Sequence, residues 1–152
     1  MTRVGLLSDT HAYWDDKYLK YFENCDEIWH AGDIGSLEVA QKLAAFRPFR
    51  AVYGNIDGQE IRKLYPQINR FTVDGAEVLI KHIGGYPGNY DPSIRGSLLV
   101  KPPKLFISGH SCCVIIRKGS KPEAMLTSAP EISMRRRRGS MRTPVCLLPM
   151  KR

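Results

Sequence analysis

Apolar residues in the first 116 positions alternate between short solid runs and helically spaced sets. Arg3–Leu7 is a solid run that stops at the polar Ser8-Asp9-Thr10-His11, as a buried strand does on entering a loop. Residues 15–22 place Tyr18, Leu19 and Phe22 at helical spacing. A second strand is predicted over 27–31, ended by Gly32-Asp33. Ser36 then caps a helix whose Leu37, Ala40, Leu43, Ala44 and Phe46 form one apolar face closed by Pro48. A third strand over 49–53 ends at Gly54-Asn55. Three strand–loop–helix units in series imply parallel strands joined by helical crossovers, hence an α/β fold.

The rhythm changes after this. Segments 71–73 and 77–80 flank Asp74-Gly75, a strong hairpin-turn pair. Residues 84–96 are rich in Gly and Pro and are expected to form a loop, with a short helix ending at 98–100. Leu105–Ser108 is another solid apolar run, ended by Gly109-His110.

Charge separates the chain into two parts. Up to Ile116 there are 13 Lys/Arg and 13 Asp/Glu; from Arg117 onward there are 10 basic residues against Glu123 and Glu131. The net charge of +8 therefore sits in the last stretch, and the domain reading is a core over 1–116 followed by a divergent basic segment over 117–152. No apolar run approaches the roughly 20 residues that span a bilayer, and Met1-Thr2-Arg3 leads straight into strand pattern rather than a secretory leader. Cys25, Cys112, Cys113 and Cys146 show no disulfide-framework or zinc-knuckle spacing, so free thiols in a cytoplasmic protein are expected.

The chemistry lies at the strand ends. Five strands terminate at metal-capable groups: Asp9 and His11, Asp33, Asn55 and Asp57, His82, and His110. In parallel α/β sheets such termini converge on one rim, where sites form. Carboxylate and amide oxygens mixed with imidazoles suit manganese, iron, zinc or nickel better than a thiolate-rich structural zinc. Each pair alone is weak evidence, since Asp-x-His and Gly-Asp commonly cap turns. His30, inside its strand, is read as a supporting residue.

Asp9-x-His11, Gly32-Asp33, Gly54-Asn55-x-Asp57, His82 and Gly109-His110 together resemble the ordered motifs of the calcineurin-like metallophosphoesterase superfamily. The nearest branch is that of the small bacterial and archaeal YfcE-type phosphodiesterases, and the resemblance covers about residues 1–111. It implies a four-layer α/β/β/α sandwich whose C-terminal part is incomplete or divergent here. It also implies two divalent metal ions, manganese first, with nickel, zinc or iron as alternatives. By position, Asp9 and His11 would hold the first ion, Asp33 would bridge, and Asn55, His82 and His110 would hold the second. Asp33, Asn55 and His82 would carry catalysis, with a metal-bridging hydroxide attacking the phosphorus of a phosphoester, most readily a phosphodiester.

Two departures stand out. Many superfamily members carry His after the Asn, where this chain has Ile56, which suits substrates with good leaving groups. The family's closing Gly-His-x-His reads Gly109-His110-Ser111-Cys112, and the thiol at 112 is expected not to ligate. Beyond Ser111 the family pattern stops, with only a faint echo of its Asn-Pro-Gly loop in Ser128-Ala129-Pro130-Glu131. An out-of-frame end and a divergent tail both fit. The alternative function is a catalytically weakened protein-interaction scaffold on the same fold. Nucleic-acid binding by the arginines at 135–138 is the less favoured partner, and no membrane association is expected.

Overall fold

The computed structural model describes residues 2–111, 113–118, 121–126 and 145–149. The expectations placed on Cys112, on the echo at 128–131 and on the arginines at 135–138 lie outside the described residues.

Three strands, β1 (Arg3–Leu7), β2 (Glu27–His30) and β3 (Phe49–Ala51), run parallel, and helices α1 (Lys17–Tyr21) and α2 (Leu37–Phe46) cross between them. Helix α3 (Gln59–Leu64) follows β3. Next comes the hairpin β4 (Ile68–Val73) and β5 (Ala76–Lys81), turned by Asp74 and Gly75, both with positive φ (49° and 75°). That is the backbone the Asp-Gly pair predicts. A two-residue ladder, β6 (Gly85–Tyr86) with β7 (Asn89–Tyr90), leads into α4 (Pro92–Val100) and β8 (Leu105–Ser108). Strands β9 (Cys113–Lys118), β10 (Lys121–Leu126) and β11 (Val145–Pro149) complete the order.

The strands form two main sheets, β11-β1-β2-β3 and β10-β9-β8-β5-β4. Strand parity divides their side chains among three interlayer cores. Val4 and Leu6 of β1 face Val78 and Ile80 of β5 and Leu105 and Ile107 of β8 between the sheets. Leu7 and Ile28 point the other way, onto Tyr18, Val39, Leu43 and Ile61 of the first three helices. Leu79 and Phe106 point outward from the second sheet onto Ile94 and Leu98 of α4. Three cores between four layers give the α/β/β/α sandwich. Every buried strand has both faces covered, which is why these strands read as solid apolar runs.

Several local expectations are corrected. The first helix is shorter than 15–22, and in α2 the buried face is Val39, Ala40 and Leu43, while Ala44 is exposed. The segment expected to be a loop over 84–96 contains the small ladder and most of α4, whose N-terminus Asp91 caps through its carboxylate to Ser93 N–H, with Pro92 in the first turn. Helix α3 carries too little apolar periodicity to be read, since Ile61 is its one buried residue. Beyond Ser111, where the family pattern stops in sequence, β11 adds antiparallel to β1 (Leu6 opposite Cys146) and β9 adds antiparallel to β8. The 116/117 boundary falls inside β9. No helix among the described residues is long and apolar enough to cross a membrane.

Candidate metal centre

The loops that follow β1 and β2 are laced together by main-chain bonds. Asp9 N–H donates to Gly32 C=O (3.0 Å), His11 N–H to Asp33 C=O (3.0 Å) and Ala12 N–H to Ile34 C=O (2.8 Å). Asp9, His11 and Asp33 all take positive φ (57°, 47° and 55°), a conformation that costs a non-glycine residue of order 1 kcal/mol or more. The loop after β3 presses on the same point: a Cβ at Gly54 would collide with the Asp33 carboxylate and backbone, so only glycine fits. Gly109, after β8, likewise packs against Ala31 C=O and the His82 ring.

These loops bring five of the predicted residues together. Asp9, His11 and Asp33 have ligand atoms within 4.8 Å of one another, as do Asp9, His82 and His110. His82 and His110 cross edge-to-face at 5.6 Å. Each carboxylate spends one oxygen on a protein donor and keeps the other inward. Asp33 Oδ1 accepts from Ile56 N–H (3.1 Å), while its Oδ2 lies 3.2 Å from His82 Nε2 and 3.8 Å from His11 Nε2. Asp9 Oδ2 accepts from the Ser8 hydroxyl, while its Oδ1 lies 3.9 Å from both imidazoles. Asn55 is exposed at the edge of this group and shares a cavity wall with His82.

His82 tests whether the cluster suits a cation. Its Nδ1–H donates to Ala31 C=O (2.8 Å), so in the neutral ring it is Nε2 that carries the lone pair. That Nε2 is buried, has no hydrogen-bond partner, and faces an Asp33 oxygen that is also an acceptor. Two buried acceptors facing each other are costly unless a proton or a metal cation sits between them, and the second carboxylate and imidazoles around the pair suit a metal cation. The donor set is nitrogen and hard oxygen, which fits a divalent transition metal. The backbone carbonyl on Nδ1 orients the ring, as outer hydrogen bonds commonly do for metal-ligating histidines.

Two residues near the cluster support it without facing it. Asp57 stood among the metal-capable groups in sequence, but its carboxylate is turned to the backbone. It accepts from Ile34 N–H (3.2 Å), Gly35 N–H (2.7 Å) and Gly54 N–H (2.8 Å), tying the loop after β2 to the loop after β3. His30 is fully buried. Its Nδ1 accepts from Gly32 N–H, its Nε2–H donates to Thr10 Oγ1 (2.9 Å), and the Thr10 hydroxyl donates to Ile34 C=O. Burial, with His82 and His11 nearby, pushes its pKa down to about 3, so it holds the Thr10 and Gly32 loops as a neutral ring.

Sequence reasoning passed over two cations beside the centre. A cavity of about 330 Å³ opens next to His82 and Asn55, and Arg62 and Lys81 contribute to its walls. Lys81 is buried at 5% exposure and donates to Asp91 (2.7 Å) and Ser93 (2.5 Å). A lysine directly before a candidate histidine ligand, at the end of a solid apolar strand, was the available signal.

A four-layer sandwich with carboxylates and imidazoles gathered at its strand ends is the arrangement of a metallophosphoesterase. The calcineurin-like phosphoesterase superfamily domain matches residues 2–121, and the chain belongs to that superfamily. A curated relative, described as a probable metallophosphoesterase from Methanothermobacter thermautotrophicus, is 28% identical over 123 residues, covering 76% of this chain and 69% of its own. Among solved structures, the vacuolar protein sorting 29 protein of Cryptosporidium parvum superposes with a TM-score of 0.61 at 14% identity, over 80% of this chain and 71% of that one. A phosphodiesterase described as archaeal superposes with a TM-score of 0.53 at 19% identity, over 80% of this chain and 96% of that one. These structural likenesses establish the fold. Membership in the superfamily implies a phosphoesterase fold that binds divalent metal.

Proposed function

We propose that the chain is a metal-dependent phosphodiesterase whose Asp9, His11 and Asp33 hold one divalent cation and whose Asp33, Asn55, His82 and His110 hold a second. The observation that carries this reading is the buried, partnerless His82 Nε2 set 3.2 Å from Asp33 Oδ2. Asp33 faces His11 as well as His82, as a carboxylate shared by two cations must. When bound, such a pair activates water and neutralises charge on the phosphoryl oxygens, with manganese favoured and nickel, zinc or iron as alternatives.

The chain's own groups orient and select. Ile56 N–H and Ser8 Oγ–H fix the two carboxylates so that one oxygen of each points to the imidazoles. The Ile56 side chain, 46% exposed beside them, has no proton to give a leaving group. General-acid assistance is worth about 10²–10⁴-fold, so esters of acidic alcohols are the expected substrates.

The test is metal analysis of purified protein beside hydrolysis of bis(p-nitrophenyl) phosphate with added manganese, nickel or zinc. About two equivalents of metal and metal-dependent turnover are expected, and Asp33→Asn should lower both. Full metal content together with full turnover in Asp33→Asn would overturn the dinuclear assignment. Stoichiometric metal with no turnover on any diester would favour the scaffold alternative.

A further inference from the structure

We propose that the cavity beside the metal-facing cluster is a subsite for an anionic group on the non-reacting arm of the substrate, and that Arg62 recognises it. This rests on the phosphodiesterase reading above and adds the class of diester. The cavity, about 330 Å³, is walled by Tyr53, Asn55, Arg62, Lys81, His82 and Asp91. It therefore runs from a candidate metal ligand to a guanidinium. Its volume exceeds that of one phosphate group and leaves room for an organic linker between two anions.

Charge in the cavity is uneven. Lys81 is matched by Asp91 at 2.7 Å, and that pair contributes no net charge. Arg62 has no carboxylate partner among the described residues, whereas Arg50 and Arg70 pair with Glu27 and Glu77. Arg62 bonds only carbonyls: Nε–H to Asp57 C=O (2.6 Å) and one Nη2–H to Asn55 C=O (3.2 Å). Its Nη1 takes no acceptor among the described residues. The guanidinium also stacks over the Tyr53 ring at 4.7 Å. Two carbonyl bonds and a stacked ring hold the fork in place, so little rotamer freedom remains to be lost on binding. A planar, pre-oriented fork with free N–H groups matches phosphate or carboxylate oxygens.

The substrate class is thus a phosphodiester whose retained arm ends in phosphate or carboxylate. Because Arg62 also holds the Asn55 and Asp57 carbonyls, the first comparison uses the unaltered, metal-loaded protein. Hydrolysis of thymidine 5′-(p-nitrophenyl phosphate) is compared among forms with a free 3′-hydroxyl, a 3′-phosphate and a 3′-O-carboxymethyl group. An added anion should lower KM about tenfold with kcat little changed, the signature of binding shared by ground and transition states. The two anionic forms show which oxygen group is preferred. Arg62→Gln should erase the advantage, and Arg62→Lys should keep part of it. Equal KM for all three forms, with all three hydrolysed, would overturn the subsite.

A second arm needs no hydrolysis. Metal-free protein is titrated with thymidine 3′-monophosphate and with thymidine, read by NMR. Phosphate-dependent shifts at Arg62 and Tyr53 are expected; their absence would sink the subsite. If no diester is hydrolysed while those shifts are present, the esterase reading falls and the anion site stands.

Discussion

Asp57 offers a clean separation between a ligand and a brace. Its buried carboxylate takes three main-chain N–H groups, from Ile34, Gly35 and Gly54, across two loops that meet at Asp33. Asp57→Asn keeps the shape but turns one acceptor into a donor. In the better amide orientation the NH₂ group faces Gly35, and the remaining oxygen keeps Ile34 and Gly54. One bond is then lost outright, costing about 1–2 kcal/mol for a partly buried donor. The other two fall from charge-assisted to neutral strength, roughly another 0.5–1 kcal/mol each. The expected loss is about 2–4 kcal/mol, a large share of a stability of about 5–15 kcal/mol. The assay is urea unfolding of the metal-free protein, where ligation contributes nothing. Asp9→Asn is the control: it removes a like charge from a cluster of acceptors, so metal-free stability should hold or rise. A metal-free Asp57→Asn within about 0.5 kcal/mol of wild type would refute the brace, and loss of a metal equivalent without loss of stability would make Asp57 a ligand.

Two other outcomes are expected. Its hydrogen bond from Lys81, then that from Ser93, holds the Asp91 carboxyl down to about 2 from its ordinary 3.8. A depressed carboxyl stabilises the fold fully above about pH 4 and loses that contribution as pH falls towards 2, so Asp91→Asn should lose less stability than wild type between pH 4 and 2 in an acid titration followed by circular dichroism. Cys112→His, which restores the superfamily's last histidine in sequence, should lower the manganese concentration for half-maximal diesterase activity, while Cys112→Ser leaves metal content unchanged; loss of one metal equivalent in Cys112→Ser would show that the thiolate ligates.

The parts of the fold legible in sequence were those where burial is two-sided. Arg3–Leu7 and Leu105–Ser108 are covered on both faces, so each appears as an unbroken apolar run punctuated by Asp or Gly-His. The site's polar groups were visible for the same reason, because they interrupt those runs. Helix α4 was hidden by composition: it follows a Gly/Pro-rich stretch and contains Gly96, although Asp91-Pro92 is a recognisable cap and first-turn pair. Strand β11 finds its partner in β1 at the opposite end of the sequence, a pairing that no local pattern encodes. Asp57 stood among the metal-capable groups because Asn-x-Asp offers two candidate side chains at one strand end, and its bracing role has no local signal. Only the folded loops show that its acceptors are consumed by Ile34 and Gly35, more than 20 positions away.

A cluster of acceptors is an unfavourable thing to assemble, and the structure shows what offsets it. Asp9, His11 and Asp33 are held in left-handed backbone conformations, and the half-buried Asp9 and buried Asp33 carboxylates face the buried Nε2 of His82. None of these groups stabilises its neighbours. The stabilisation comes from around the cluster: the lacing between the loops at 9–12 and 32–34, the Asp57 brace, and the neutral His30–Thr10 link to Ile34 C=O. All of these use donors and acceptors that point away from the centre. The centre is therefore shaped by the fold, and the acceptors keep their lone pairs for a cation. A cation bound there would relieve facing acceptors such as His82 Nε2 and Asp33 Oδ2.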